Sequence, residues 1–193
     1  MKAVLISIQP YWVFLIIAKA MGWNIGEEKT VEVRKTYPKN ENWDKIAKIY
    51  CSKNKKSFAK IPKEYQPLMQ RFLGKIIGEF VCDDIKAFDI PYPAFQNEMD
   101  KTIIEKSCVS YYDLHRYAGH DCLFGWHISD LVIYDKPKEL SEFKRDCDGN
   151  CQTCKYAIWQ TSGIAYEPYI VDCQPITRPP MDWFYIWESE VQP

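Results

Sequence analysis

Residues Ala3 to Ile8 form an unbroken apolar run with β-branched members, and after Gln9-Pro10 a second apolar run, Tyr11 to Ala18, follows at once. A short run of the first kind marks a strand covered on both faces. Pro10 stands where the first turn of a helix tolerates a missing N–H. The chain is therefore expected to begin with a buried strand leading directly into a buried helix, from about Tyr11 to Met21 and stopped at Gly22. Such a beginning needs a thick core. A composition 47% apolar and 15% aromatic supplies one and argues against disorder. At 193 residues a single domain, 1–193, is expected. The run Trp12 to Ala18 is far below the ~18 residues of a spanning helix. Gln9-Pro10 and Lys19 also spoil its likeness to a signal peptide. No membrane association is expected, and the location is read as cytoplasmic, with the eight cysteines as reduced thiols, most of them filling the core.

Further strands are read at Thr30 to Arg34, Ile46 to Cys51, Lys75 to Cys82, Leu123 to Tyr134 and Trp183 to Trp187. Thr30 to Arg34 alternates, with Val31 and Val33 on one face and Thr30, Glu32 and Arg34 on the other, as in a half-buried strand with charge on its open side. Ser110 with Asp113 three residues on predicts the capped start of a short helix ending near Tyr117, and Pro137 to Phe143 reads as a helical turn. Asp84 to Ser107 reads as an irregular insertion. A mobile, basic excursion at 52–67 and a cysteine-rich loop at 145–180 complete the chain. Strands divided by short helices without regular alternation indicate an α+β fold, a small mixed β-barrel with flanking short helices.

Charge is unevenly spread although the net charge is −1. Lys29 to Lys75 holds 13 Lys/Arg against 4 Asp/Glu, and the remainder holds 12 against 22. That asymmetry can make one face cationic, as a polyanion partner requires, or it can serve solubility alone. Within the excursion, Lys53, Lys55, Lys56, Lys60 and Lys63 lie near Tyr50 and Phe58, a mixture of charge and rings that suits single-stranded RNA.

The segment Gly26-Glu27-Glu28-Lys29-Thr30-Val31-Glu32-Val33-Arg34 resembles the G-x-K-x-x-E-x-R signature of the ASCH domain family, with one extra residue between Gly26 and Lys29. Met1 to Pro10 resembles that family's opening strand and helix start. Gly74 to Phe80 resembles its middle strand, and Gly125 to Pro137 with Glu139 to Phe143 its late strand. Ile176 to Trp183 is similar to the close of the small ASCH proteins of phages and prophages. The resemblance implies a PUA-like barrel with a cleft beside the signature and a role in binding RNA or a nucleotide. As the alternative it implies a hydrolase of a modified nucleoside, of the amidohydrolase type, or of RNA. The amidohydrolase relatives carry Thr where this chain has Glu32.

On that reading Lys29, Glu32 and Arg34 line the site. The cations can grip phosphate, Arg34 as a two-pronged fork. Glu32 can accept from a base amine or, in an enzyme with Lys29 beside it, act as general base. The plain alternative is a surface Glu32–Arg34 ion pair. Trp126 can stack a base and His127 can shuttle a proton, or both belong to the core. Glu79 is a candidate second carboxylate or a solvent-facing strand residue. Cys147, Cys151 and Cys154, in C-x3-C-x2-C spacing around Asp148-Gly149-Asn150, together with Cys173, can form a closed structural zinc site, or remain free thiols. Protein prepared without chelator should then carry close to one zinc per chain, and chelation should lower its melting temperature. Metal analysis finding no zinc would leave free thiols.

Overall fold

The computed structural model describes residues 2–39, 43–90, 97–145, 158–162, 165–169 and 176–187, the side chains of 145, 158–162, 165–169 and 187 excepted. The four expected zinc ligands, Cys147, Cys151, Cys154 and Cys173, lie outside the described residues.

The first strand, β1 (Lys2–Ile8), is central in a six-stranded sheet, parallel to β3 (Ile46–Cys51) and antiparallel to β11 (Trp183–Trp187). Its side chains alternate between two cores, as strand geometry requires. Val4, Ile6 and Ile8 pack with helix α1 (Pro10–Ile17), whereas Ala3 and Leu5 pack with Phe143, Ile176 and Ile186. Every residue of α1 from Val13 to Ile17 is buried, which is how a helix apolar on all sides must sit. The chain leaves α1 through a turn that ends at Gly22, at φ 69°.

Next to β3 lies β4 (Ile76–Val81), and next to that the edge strand β7 (Ser129–Lys138). On the opposite edge β8 (Lys144–Arg145) pairs with β11. Gly78 is where β7 closes on β4: a Cβ there would stand 2.2 Å from the carbonyl oxygen of Val132, so only glycine permits the pairing.

A second sheet has the order β2 (Val31–Arg34), β6 (Leu123–His127), β5 (Ile85–Phe88). Val31, Val33, Phe88 and Leu123 face a separate core under α4 (Glu98–Ser107) and α5 (Tyr111–Ala118), filled by Ile103, Leu114 and Ala118. The other face turns toward the main core. Two short helices, α2 (Lys55–Phe58) and α3 (Gln66–Gln70), follow β3, and β9 (Ile158–Ser162) and β10 (Ala165–Tyr169) form a hairpin.

The α+β class expected from the sequence is observed; among the described residues no strand order closes into a ring. Four local expectations are corrected. The long strand Leu123 to Tyr134 is two strands in different sheets, divided at Ile128: β6 ends at His127, and Ser129 already pairs with Val81 of β4. Residues 84–107 contain β5 and α4 instead of an irregular insertion. The excursion at 52–67 carries α2, capped by the Asn54 side chain on Ser57 N–H, with Ser57 buried. The loop 145–180 contains the β9–β10 hairpin.

Glu79 is neither a cleft carboxylate nor a solvent-facing residue: it accepts hydrogen bonds from buried Lys48 across the β3–β4 ladder and from Tyr134 on β7. Burial pushes its carboxyl up, but those two hydrogen bonds and the charges of Lys48 and Lys138 outweigh this and hold it below its ordinary value. A carboxyl lowered by folding stabilises the fold above its unfolded value, near about pH 4.3, and the contribution disappears as pH falls through the folded value. Glu79→Gln should lower stability by about 1–2 kcal/mol at pH 7. Urea titrations should find the variant and parent converging below about pH 4; parallel curves would remove Glu79 from the acid response.

Candidate functional site

The turn at Gly26, with φ 74°, delivers Lys29 to the entrance of β2. There its stem runs inward and its ammonium is 2% exposed as a residue. Nζ donates to the carbonyl oxygens of Val31 (2.7 Å) and Ser107 (2.8 Å), and lies 5.4 Å from the centroid of the Trp12 ring. It is also 3.3 Å from Glu32 Oε2, a charge contact and not an aligned hydrogen bond. Burial pushes the Lys29 ammonium below its ordinary value, opposed by the charge of Glu32.

Glu32 and Arg34 point to the same side of β2, the side of their cross-strand partners Trp126 and Phe124. That side faces the six-stranded sheet, so the two charges are buried, at 5% and 8% exposure, and not on an open face. Arg34 bridges the two sheets. Its Nη2 reaches Glu32 Oε1 at 2.9 Å and donates to the carbonyl oxygen of Ser7 on β1 at 2.6 Å; its Nη1 bonds Asp182 Oδ1 at 2.9 Å. Asp182 also accepts from the Thr36 hydroxyl, and its backbone carbonyl accepts from Ser7 N–H. Among the described residues, three buried polar atoms at this site have no hydrogen-bond partner: Glu32 Oε2, Arg34 Nε and Ser52 Oγ.

These groups form the floor of a cleft of about 790 Å³. Tyr11 and Trp12 of α1 line it, with Ser57 and Lys60 in and after α2; Asp113 and Tyr117 line it from α5, and Met181 lies beside Asp182. Tyr117's phenol is pushed up by burial, with Asp182 and Glu32 adding to the rise and Arg34 opposing it, so it remains a donor at neutral pH. Lys60 lies 6.0 Å from the Tyr11 ring centroid and has no ion-pair partner among the described residues.

Lys29, Glu32 and Arg34 therefore come together, as the sequence predicts. Trp126 does not join them: it is fully buried among Trp43 and Trp183, so no base can stack on it. His127 points to the opposite face of β6, where its Nδ1 is 2.6 Å from Asp83 Oδ1, outside the cleft. Lys53, Lys55 and Lys56 are exposed on the excursion without lining the cleft; Lys60 does so in their place. Sequence reasoning missed Asp182, Ser7, Trp12 and Tyr117. Asp182 is 148 positions from Arg34, a distance at which no local pattern links them.

Comparison with known proteins finds similarity in solved structures. The ASCH protein of Zymomonas mobilis matches at a TM-score of 0.45 and 18% identity, over 72% of this chain and 73% of that one. A tyrosine-to-phenylalanine variant of the same protein matches at 0.45 and 16% identity, over 72% and 77%. A serine-to-alanine variant matches at 0.44 and 16% identity, over 72% and 74%. No protein-family model matches the chain, and no curated protein matches it. At these values the likeness assigns no role to any residue, and the site stands on its own geometry.

Glu32 is the shared counter-ion of two buried cations. Removing one partner of a buried ion set strands the others and costs about 3–5 kcal/mol. Glu32→Ala should lose stability of that order in urea unfolding, and Glu32→Gln less, because the amide oxygen still accepts from Arg34. A loss under about 1 kcal/mol for Glu32→Ala would show that water replaces the carboxylate.

Proposed function

We propose that the chain is an ASCH-type, PUA-like domain that binds RNA or a nucleotide in the cleft above Lys29, Glu32 and Arg34. One observation carries the proposal: two charged side chains, each more than nine-tenths buried, line a ligand-sized cleft, and each keeps a buried polar atom without a hydrogen-bond partner. Leaving buried polar atoms unpaired is unfavourable, and functional sites are where folds tolerate it. The aromatic walls suit a base. The lysines of the 52–67 excursion, beside the mouth through Asn54, Ser57 and Lys60, suit the phosphates that follow it along a strand.

A hydrolase is the second reading, favoured by Glu32, a carboxylate among the cleft-lining residues that can act as general base. Glu32→Gln separates the two: in a binding module it weakens association, and in a hydrolase it removes turnover while RNA is still held. The finer expectations belong to this proposal as well: a kinship with phage ASCH proteins, a cytosolic location, and a structural zinc on Cys147, Cys151, Cys154 and Cys173. Among the described residues, no helix is long and apolar enough to cross a membrane.

Fluorescence anisotropy with single-stranded and duplex RNA at several salt concentrations tests the reading. Affinity should fall steeply with salt as displaced counter-ions drive binding. Replacing Lys53, Lys55 and Lys56 together by Ala should reduce the log–log slope by about 2, at roughly 0.7 per phosphate contact on a single strand. An unchanged slope would make the excursion a solvated surface.

A further inference from the structure

We infer that the main-chain N–H and C=O of Val33, on the open edge of β2, hold the Watson–Crick edge of an unpaired base in the cleft. The inference deepens the proposed RNA or nucleotide binding and rests on it. Successive residues of a strand turn their N–H and C=O groups to opposite edges, and in an antiparallel pair hydrogen-bonded and non-hydrogen-bonded partners alternate. Three hydrogen bonds fix the alternation here. Ile128 N–H, just past β6, donates to the Thr30 carbonyl at 2.9 Å, so that carbonyl faces β6. Lys29 Nζ takes the next carbonyl, that of Val31, from the other edge. On β6, His127 N–H donates to Asp84 at the start of β5, and Gly125, two residues away, turns the same way, toward Lys86. Gly125 is the cross-strand neighbour of Val33. The two are therefore a non-hydrogen-bonded pair, and the N–H and C=O of Val33 point out from the edge of the sheet.

The cleft passes along that edge. Glu32 and Arg34 line it from one face of β2, and Val109 and Leu114, which pack with the core on the other face, line it as well. Val33 also lines it, although its side chain fills that second core. What Val33 turns outward beside the cleft is main chain. Among the described residues neither group has a hydrogen-bond partner.

The flanking positions of the edge are already in use. Lys29 holds the Val31 carbonyl. Burial pushes the Tyr117 phenol up, and the Lys35 N–H, one of the groups opposing that rise, stands beside its oxygen. A peptide adding itself as a strand would pair with Val31, Val33 and Lys35 together. Val33 alone matches a smaller partner, a planar group with an N–H next to an acceptor. Every nucleobase has that pair on its Watson–Crick edge, and in a duplex the edge is engaged, so the site selects an unpaired base.

Competition against a labelled single-stranded RNA, with the full chain, tests the inference. The competitors are adenosine, cytidine, guanosine and uridine, each beside an uncharged form methylated on the Watson–Crick edge: N6,N6-dimethyladenosine, N4,N4-dimethylcytidine, 1-methylguanosine and 3-methyluridine. A methyl on another edge, in 5-methyluridine, is the control. At least one nucleoside should compete, its Watson–Crick-methylated form should be about 10-fold weaker or worse, and 5-methyluridine should match uridine. Replacing Val33 by its α-hydroxy acid exchanges the N–H for an ester oxygen and keeps the side chain. It should weaken the same nucleoside roughly 3–10-fold. The melting temperature should fall only slightly, since that N–H bonds nothing in the fold and the ester merely weakens the Glu32 carbonyl as an acceptor. Methylated nucleosides competing as well as their parents, no nucleoside competing while RNA binds, or a folded ester variant binding like the parent would overturn the inference and leave RNA binding standing. A protein that binds neither RNA nor any nucleotide would remove the proposed function itself.

Discussion

The charge of Glu32 is what the middle of this molecule depends on. It lies between Lys29 and Arg34, and through Arg34 it joins β2 to Ser7 on β1 and to Asp182 at the start of β11. Those contacts tie the three-stranded sheet to the six-stranded one. Each ion has lost most of its water, and only the set as a whole makes that loss bearable. The same arrangement makes the site: the side chains that tie the sheets together also line the cleft.

This arrangement follows from the way β2 is packed. Val31 and Val33 fill the core beneath α4 and α5, which fixes the register, since a slip of one residue would put both charges into that core. The opposite face is then obliged to meet the six-stranded sheet. Where Trp126 and Phe124 continue that face on β6, the space is filled by the main core. At β2, the edge of its sheet, it opens between α1, α2 and α5 into the cleft. The break at Ile128 matters as much. It moves the chain from the small sheet to the edge of the large one, so that one continuous segment, β6 and β7, belongs to both.

Much of this was legible in the chain. Unbroken apolar runs marked β1 and β11, the period of two marked which residues of β2 face inward, and Ser110 with Asp113 marked the start of α5. The K-x-x-E-x-R spacing picked out three residues that do converge. The errors share a cause. Trp126 and His127 were candidates because their side chains can do chemistry, but neighbours in a strand face opposite ways, and here one meets a core and the other the surface. Lysines of the excursion were weighed by number, whereas the position after α2 decides that Lys60, and not Lys55 or Lys56, reaches the cleft.

The sequence by itself determined the secondary structure with strong local signals, the two faces of β2 and the triad Lys29, Glu32 and Arg34, because each depends on residues a few positions apart. Only the tertiary structure decided that the triad is buried, that Asp182 and Ser7 complete it, and that Tyr117 and Met181 line the same cleft. Those facts depend on contacts between segments up to 148 positions apart. Burial is also what changes their chemistry. The same Glu–Arg pair in water would be a weak surface contact, and between two sheets it becomes part of a buried ion set in which loss of one member strands the others.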